Sequence, residues 1–504
     1  TMNVVNGVTL RGIEALKVEV EVEMTGGLFA ISVVGLPDAT VKEARERVRA
    51  ALRSLGLSVK GRVAVNLAPA DIPKEGALID LPIAIGIAHA MGEVRVARPT
   101  IFMGELALDG RVRRVRGAVP AALLARKLGL PLFIPEGNAR EVSLVKGVTA
   151  WKVGHIRDLF AHLQGSSQLE PITPGEEAEE NPEPDPDLSD IKGQAAAKRA
   201  LEIAAAGHHN VLMTGSPGSG KTLLARALKD ILPPLSDEEM MEVLLVRSTV
   251  GLPLHSSRQR PFRAIHHTSS TISVCGGGSN LRPGEISLAH RGVLFLDEFT
   301  EFRRDLLESL RQPLEDGFIP VSRASGSVTY PARVLLVAAC NPCPCGFLGD
   351  PQEPCRCSPL AVERYRRKMS GPILDRIDLH VTVPRLTPDE LVQFEGQVGE
   401  SSADVRQRVL RAREVQWRRW GPLGFQCNAE LPERALRRQV KIDAEGRRFL
   451  KDVAGRVRLS GRGISRVLKV ARTIADLAGD EGLTTAHLAE ALAFREGGDL
   501  PWNR

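Results

Sequence analysis

The chain has 504 residues, enough for about three domains of roughly 150 residues, and its 67 Lys and Arg against 61 Asp and Glu give a formal charge of +6. Hydrophobic residues at 43% and charged residues at 25% exclude wholesale disorder, and aromatic residues at only 4% exclude a nucleic-acid platform built on stacked rings. No apolar run approaches the ~20 residues that cross a bilayer, and no basic segment followed by an apolar one opens the chain, so no membrane partner and a cytoplasmic location are expected.

Residues 2–164 read as an α+β domain. Alternating stretches at 15–23 (ALKVEVEVE) and 62–67 (RVAVNL) predict strands, and between them 41–55 repeats apolar residues at three and four, as an amphipathic helix does. The run RVRRVR at 111–116 permits binding to DNA or another partner. Residues 165–188 are rich in acidic residues and proline with almost no apolar periodicity, which predicts a solvated linker.

From 189 to 384 the continuous apolar runs at 210–214, 292–296 and 334–339 alternate with helical segments, the pattern of a parallel sheet covered on both faces. The first of these strands runs into Gly215, Ser216, Pro217, Gly218, Ser219, Gly220, Lys221 and Thr222, and a helix follows. This G-x-x-x-x-G-K-T loop in strand–loop–helix context is an ATP cradle: glycines let backbone N–H groups face phosphate oxygens, Lys221 reaches the outer phosphates, and the Thr222 hydroxyl ligates Mg²⁺. The second strand, GVLFLDEF, ends in two carboxylates, with Asp297 expected to hold Mg²⁺ and Glu298 to polarise the attacking water. Asn341 closes the third strand, where it can orient that water. Arg376 and Arg466 are two candidates for the cation that offsets developing γ-phosphate charge.

Two further elements stand between and after these strands: a glycine run at 274–280 and a predicted hairpin over 318–330 with Arg323 near its tip. Both are elements that reach a substrate, or else plain surface turns. Of seven cysteines, five lie between 340 and 357; Cys343, Cys345, Cys355 and Cys357 form two C-x-C pairs in a loop rich in glycine and proline. Four thiolates can close a tetrahedral Zn²⁺ site, although C-x-C departs from the usual C-x2-C spacing and a reduced, metal-free loop is equally compatible. Cys275, Cys340 and Cys427 read as buried or incidental. Residues 385–504 are predominantly helical, and 401–475 hold nineteen Lys and Arg against seven Asp and Glu, a density that either neutralises nucleic-acid phosphates or is simply solvated.

The loop, the LDEF strand, Asn341, LDRID and the helical C-terminal segment resemble AAA+ ATPases of the magnesium-chelatase-like branch. The segments RPFRAIHHTSSTISVCGGGSNLRPGEISLAHRGVLFLDE, CNPCPCG and VARTIADL resemble more narrowly its competence-associated members. The resemblance implies an α/β ATPase core with a helical lid (385–504), a homo-oligomeric, hexameric ring, with Asn341 as sensor 1, Arg376 as the arginine finger reaching a neighbour's site and Arg466 as sensor 2. It also implies that the glycine run and the hairpin face the ring's channel, and that the chain is an ATP-driven, sequence-independent DNA helicase migrating branches during recombination in natural transformation, with recombination proteins as candidate partners.

Residues 58–163 resemble the proteolytic domain of Lon, with a ribosomal-S5-like fold. Leu78 and Val119 stand where that chemistry needs serine and lysine, so a catalytically inactive domain is expected. Lys74 and Asp80 persist in the matching stretch, Asp80 as a capping or core-edge carboxylate. Three classes of function are therefore in play: a DNA motor, a motor subunit for metal insertion into a porphyrin, and a protease, which Leu78 and Val119 disfavour.

Overall fold

The structure is a computed structural model describing residues 3–36, 38–175, 185–253, 258–323, 326–368, 373–393, 399–457 and 459–495. The centre of the acidic linker, the hairpin-tip residues 324 and 325, the four residues before the ILDRID stretch and the chain beyond 495 are among those outside the described residues.

The first part is a seven-stranded mixed sheet. Its strands are β1 (Asn3–Arg11), β2 (Glu14–Thr25), β3 (Ala30–Val34), β4 (Arg62–Ala68), β5 (Ile101–Phe102), β6 (Leu132–Pro135) and β7 (Ala150–Val153), in the order β3-β4-β2-β1-β5-β6-β7. Along β2 and β4 every second residue is buried, as strict alternation of valine or leucine with polar residues requires of a sheet with one face on a core. That core includes α2 (Gly76–Ala90), apolar on every side and buried throughout its middle, and α3 (Ala118–Leu128). The amphipathic α1 (Asp38–Ser54) packs beside α2. Leu78 and Val119 sit inside this core, 2% and 0% exposed.

The acidic stretch begins later than its composition predicts. Pro171 bridges to Trp151 of β7, and Leu169 and Ile172 pack on the first core. Three apolar contacts and one backbone bridge suffice to hold a segment whose charge is concentrated further on. At the far end, Leu188 is buried and Asp187 caps a short 3-10 turn.

The second sheet is wholly parallel: β8 (Val211–Thr214), β9 (Phe262–Ile265), β10 (Val293–Leu296), β13 (Leu335–Cys340) and β14 (Leu379–Thr382), in the order β9-β10-β13-β8-β14. The α/β expectation holds here. α4 (Ala195–Gly207) and α5 (Lys221–Ile231) cover one face, together with the helices α7 (Ser402–Trp420), α8 (Gly461–Ala478) and α9 (Thr485–Arg495) that follow the sheet in sequence. A separate apolar core lies on the other face, under the antiparallel hairpin β11 (Phe318–Arg323) and β12 (Gly326–Pro331).

The two parts interlock through α6 (Asp237–Val250), which belongs to the second part yet buries Leu244 in the first core. Ser248 is the pin. Its hydroxyl accepts the Val119 backbone N–H at 3.1 Å and donates to Glu141 Oε2 at 3.1 Å, while its carbonyl accepts the Gly117 N–H at 2.8 Å. Burial holds the Glu141 carboxyl above its usual range. Arg116 donates to Thr249 O at 2.9 Å and Arg114 to Gly251 O at 2.9 Å, so two arginines of the RVRRVR run are spent on this junction rather than offered to DNA. A second junction lies at the β1–β2 turn, where Gly12 (φ +63°) abuts Val328 and Tyr330 of β12 and Ile13 packs on the core beneath the hairpin.

Candidate functional site

All five strands of the second sheet point the same way, so one edge collects every carboxyl end, the place where parallel α/β sheets bind ligands. Gly215 through Gly220 leave β8 at this edge and α5 begins at Lys221. Gly218 and Gly220 adopt φ of +76° and +95°, and a Cβ on Gly215 would lie 2.3 Å from Val383 O. Glycine is required at all three by conformation or by close approach. Lys221 is buried, its Nζ donating to Gly215 O at 2.7 Å and Ser216 O at 3.1 Å, and burial lowers its pKa. Its ammonium thus spans the mouth of the loop, within reach of any anion seated there, and the exposed Thr222 follows on the first turn of the helix. The loop geometry fits a triphosphate.

Asp297 and Glu298 are exposed just past β10, and Asp297 Oδ1 accepts the Glu298 N–H at 2.8 Å. Glu298 occupies the left-handed region at φ 51°, a strained place for a residue other than glycine. There it meets His267, whose Nε2 lies 3.2 Å from Glu298 Oε2. His267 stands two residues beyond β9, the strand paired with β10, and its neighbour His266 stacks on it at 4.2 Å. The sequence reading quoted the IHH stretch without giving either histidine a role. The available signal was its position, just past an apolar strand that precedes the acidic one. Asn341 follows β13 at the same edge, its carbonyl accepting from the Tyr365 hydroxyl at 2.8 Å. Tyr365 accepts in turn from Thr300 Oγ1 at 3.0 Å, tying Asn341 to the turn after Glu298.

Arg376 and Arg466 are elsewhere. Arg376 immediately precedes β14, and Asn210, just before β8, donates its side-chain amide to Arg376 O at 3.1 Å. Both belong to the amino edge of the sheet, and a four-residue strand at about 3.3 Å per residue puts roughly 13 Å between that edge and the glycine loop. Arg376 lines a cavity of about 800 Å³ with Arg311, Arg333, Arg462, Arg466 and Lys469, balanced in part by Glu315, Asp375, Glu430 and Glu433. Arg376 pairs with Glu315, and Arg466 NH2 lies 3.7 Å from Asp375 Oδ1. Burial, then the neighbouring Arg311, Arg462 and Arg466, lower the Arg376 pKa, and its Nε is buried without a partner. The structure therefore brings Gly215–Thr222, Asp297, Glu298 and Asn341 together and leaves Arg376 and Arg466 with each other, away from them. At this same amino edge His209 bridges Asp378 Oδ2 at 2.8 Å and Thr473 Oγ1 at 2.7 Å, locking α8 to the sheet.

The sulfur atoms of Cys343, Cys345, Cys355 and Cys357 lie within 4.8 Å of one another, with separations of 3.3, 3.7 and 3.8 Å among the first three. Sulfurs sharing a tetrahedral Zn²⁺ at about 2.3 Å would be ~3.8 Å apart, so the cluster has the right size for that ion. Backbone N–H groups of Cys345 and Leu348 point at Cys357 Sγ and Cys343 Sγ, both at 3.3 Å, as donors to thiolates do. The remaining cysteines, Cys275, Cys340 and Cys427, are buried singly, Cys275 against Ser309 Oγ at 3.2 Å.

The glycine run and the hairpin form one unit: residues 276–277 pair with 282–283, and a Cβ on Gly276 would lie 3.2 Å from Val321 of β11. In the first part, Lys74 donates to the carbonyls of Pro69 and Ile72, and Asp80 is fully buried against Arg47 at 2.6 Å.

A parallel sheet in this order, with the glycine loop after β8 and the paired acids after β10, defines an AAA+ ATPase. Three family models describing the magnesium chelatase subunit ChlI match residues 20–138, 187–391 and, for its C-terminal part, 399–495. The chain is 44% identical to the competence protein ComM of Haemophilus influenzae over 96% of its length and 95% of the relative's. It is 42% identical to the uncharacterized protein YifB of Escherichia coli, covering 98% and 97% of the two chains, and 25% identical to the chloroplastic magnesium-chelatase subunit ChlI of Chlamydomonas reinhardtii, covering 64% and 74%. The chain belongs to the magnesium-chelatase-like AAA+ family, in the group that holds ComM and YifB.

Proposed function

We propose that this chain is the subunit of a homo-oligomeric, six-membered ATPase ring that translocates DNA and migrates branched junctions during recombination of incoming DNA in natural transformation. The observation that carries the ring is the distance between edges. Charge builds on the γ-phosphate at the carboxyl edge, where Lys221 is the cation seated in the loop, while Arg376 and Arg466 line a cavity at the amino edge of the same sheet. An adjacent copy presenting its amino edge completes the site, with Arg376 as the finger and Arg466 as sensor 2, both acting across the interface.

Within one subunit the division of labour follows from placement. Backbone N–H groups of 215–220 and Lys221 bind and orient the phosphates. Glu298 accepts the proton of the attacking water, and Asn341 orients that water from the neighbouring strand end. Thr222 and Asp297 would hold Mg²⁺, which when bound draws charge from the β- and γ-oxygens. Cys343, Cys345, Cys355 and Cys357 would hold one structural Zn²⁺.

The DNA assignment is supported by the Arg-rich helices beyond 401, by the hairpin carrying Arg323, and by the name of the Haemophilus relative. The second reading, a motor for metal insertion, is favoured by the ChlI family matches. Steady-state ATPase with and without DNA, followed by a three- or four-strand branch-migration assay with ATP or a non-hydrolysable analogue, separates them. A DNA motor is stimulated and moves junctions only with ATP; indifference to DNA in both assays would favour the chelatase-type motor.

A further inference from the structure

The cysteine loop does more than sit near the nucleotide loop: it is built against it. Asp350, midway between the first thiol pair and the second, has a side chain 1% exposed, and its Oδ2 accepts the Ser216 hydroxyl at 2.6 Å. Its Oδ1 accepts the N–H groups of Gln352 and Glu353 at 2.8 and 3.0 Å, so the carboxylate cannot turn away without stranding those donors. Arg385, 3.5 Å from Oδ2, stacks over Phe347 of the same loop at 5.3 Å. Next to the first thiols, Gly346 at φ +87° lies so close to Pro217 that a Cβ would stand 2.8 Å from its Cδ. Two successive residues of the phosphate cradle, Ser216 and Pro217, therefore lean on one loop.

That loop has little of its own to hold it. Between the thiol pairs only Phe347 and Leu348 are large and apolar, and both are half-buried. Its ends are joined by sulfur alone, Cys343 and Cys345 meeting Cys355 at 3.8 and 3.7 Å.

We propose that one zinc ion held by Cys343, Cys345, Cys355 and Cys357 fixes this loop as a brace, and that Asp350 is the positioning residue through which the metal sets the affinity of the cradle for ATP. The inference rests on reading residues 215–222 as the nucleotide site. A charge-assisted hydrogen bond of this kind corresponds to roughly tenfold in an equilibrium constant.

Two measurements on the full-length protein test it: zinc per chain by elemental analysis, and ATP affinity by titration with a fluorescent ATP analogue, alongside steady-state kinetics. Wild type is expected to carry one zinc. Asp350→Ala should keep its zinc, lose about tenfold in affinity and raise KM for ATP with kcat at saturation held, and Asp350→Asn, which still accepts from Ser216, should recover most of the loss. The double change Cys355→Ser with Cys357→Ser should lose zinc and show the same rise in KM. If that variant does not fold, the Asp350 pair decides alone. Wild-type affinity in Asp350→Ala, zinc-free protein with undiminished affinity, or wild type isolated without metal each overturns the proposal. A wild type that binds no nucleotide at all overturns the reading beneath it instead.

Discussion

His267 Nε2 lies 3.2 Å from Glu298 Oε2, so the carboxylate that would activate water is held by a side chain from the adjacent strand end. Four residues past His267 begins the short helix Thr271–Cys275, which leads directly into the glycine run. A ligand that shifts the glycine run therefore pulls on the histidine. Both partners are partly exposed, and such a pair is worth about 0.7 kcal/mol, or roughly threefold. His267→Ala is expected to raise DNA-free ATP turnover about threefold and to shrink stimulation by DNA, measured as the ratio of steady-state rates; an unchanged ratio would remove His267 from the pathway.

Lys221→Ala should abolish nucleotide binding, since it removes the ammonium held inside the loop by Gly215 O and Ser216 O. Glu298→Gln should keep binding and lose roughly 100- to 10,000-fold in turnover. Equilibrium titration beside single-turnover hydrolysis separates the two, and normal hydrolysis by either variant contradicts the assignment.

Because the two edges of the sheet lie apart, Arg376→Ala and Glu298→Gln should complement each other. Each alone is inactive, yet in mixed rings roughly a quarter of the interfaces pair an intact Glu298 with an intact Arg376 by random assembly. ATPase of the mixture should rise above both parents after nucleotide-driven reassembly. A mixture no better than its components places Arg376 in its own subunit's site.

The anchoring of α6 carries a pH signature. His290 Nδ1 accepts the Arg333 N–H at 3.0 Å, so its proton resides on Nε2, which donates to Glu242 Oε2 at 2.7 Å. That hydrogen bond, reinforced by Arg291 at 2.8 Å, pulls the Glu242 pKa down to about 2. A carboxylate with a depressed folded-state pKa contributes stability above its unfolded value near 4.3, and that contribution is lost as the pH falls through about 2. Glu242→Gln should be clearly less stable than wild type in urea at pH 7, and the gap should narrow steadily below pH 4.

Much of this was legible before any coordinates. Continuous apolar runs marked three of the five parallel strands, and alternation marked β2 and β4, because burial on two faces or one leaves those signatures directly in the residues. β9 and β14 were missed as strands: RAI and LHVT are too short and too mixed to stand out, and it is pairing with β10 and β8 that makes them strands. The glycine loop, Asp297, Glu298 and Asn341 are local in sequence and were placed by it. His267 was not, because a contact between strand ends depends on sheet order, which no spacing encodes. The same holds for Arg116, half-buried where its guanidinium meets Thr249 O: nothing in the basic run marks which of its arginines meets α6.

Ser248, planted beside Val119 and Glu141, is a peg of the second part seated in a socket of the first. Severing the polypeptide within the acidic stretch would strip the cover from Leu244, Met240 and Met241 on one fragment and from α3 on the other. Neither piece is then a free-standing unit. Selection on the ATPase half must act on the first half as well, and the two are expected to be inherited, expressed and degraded together.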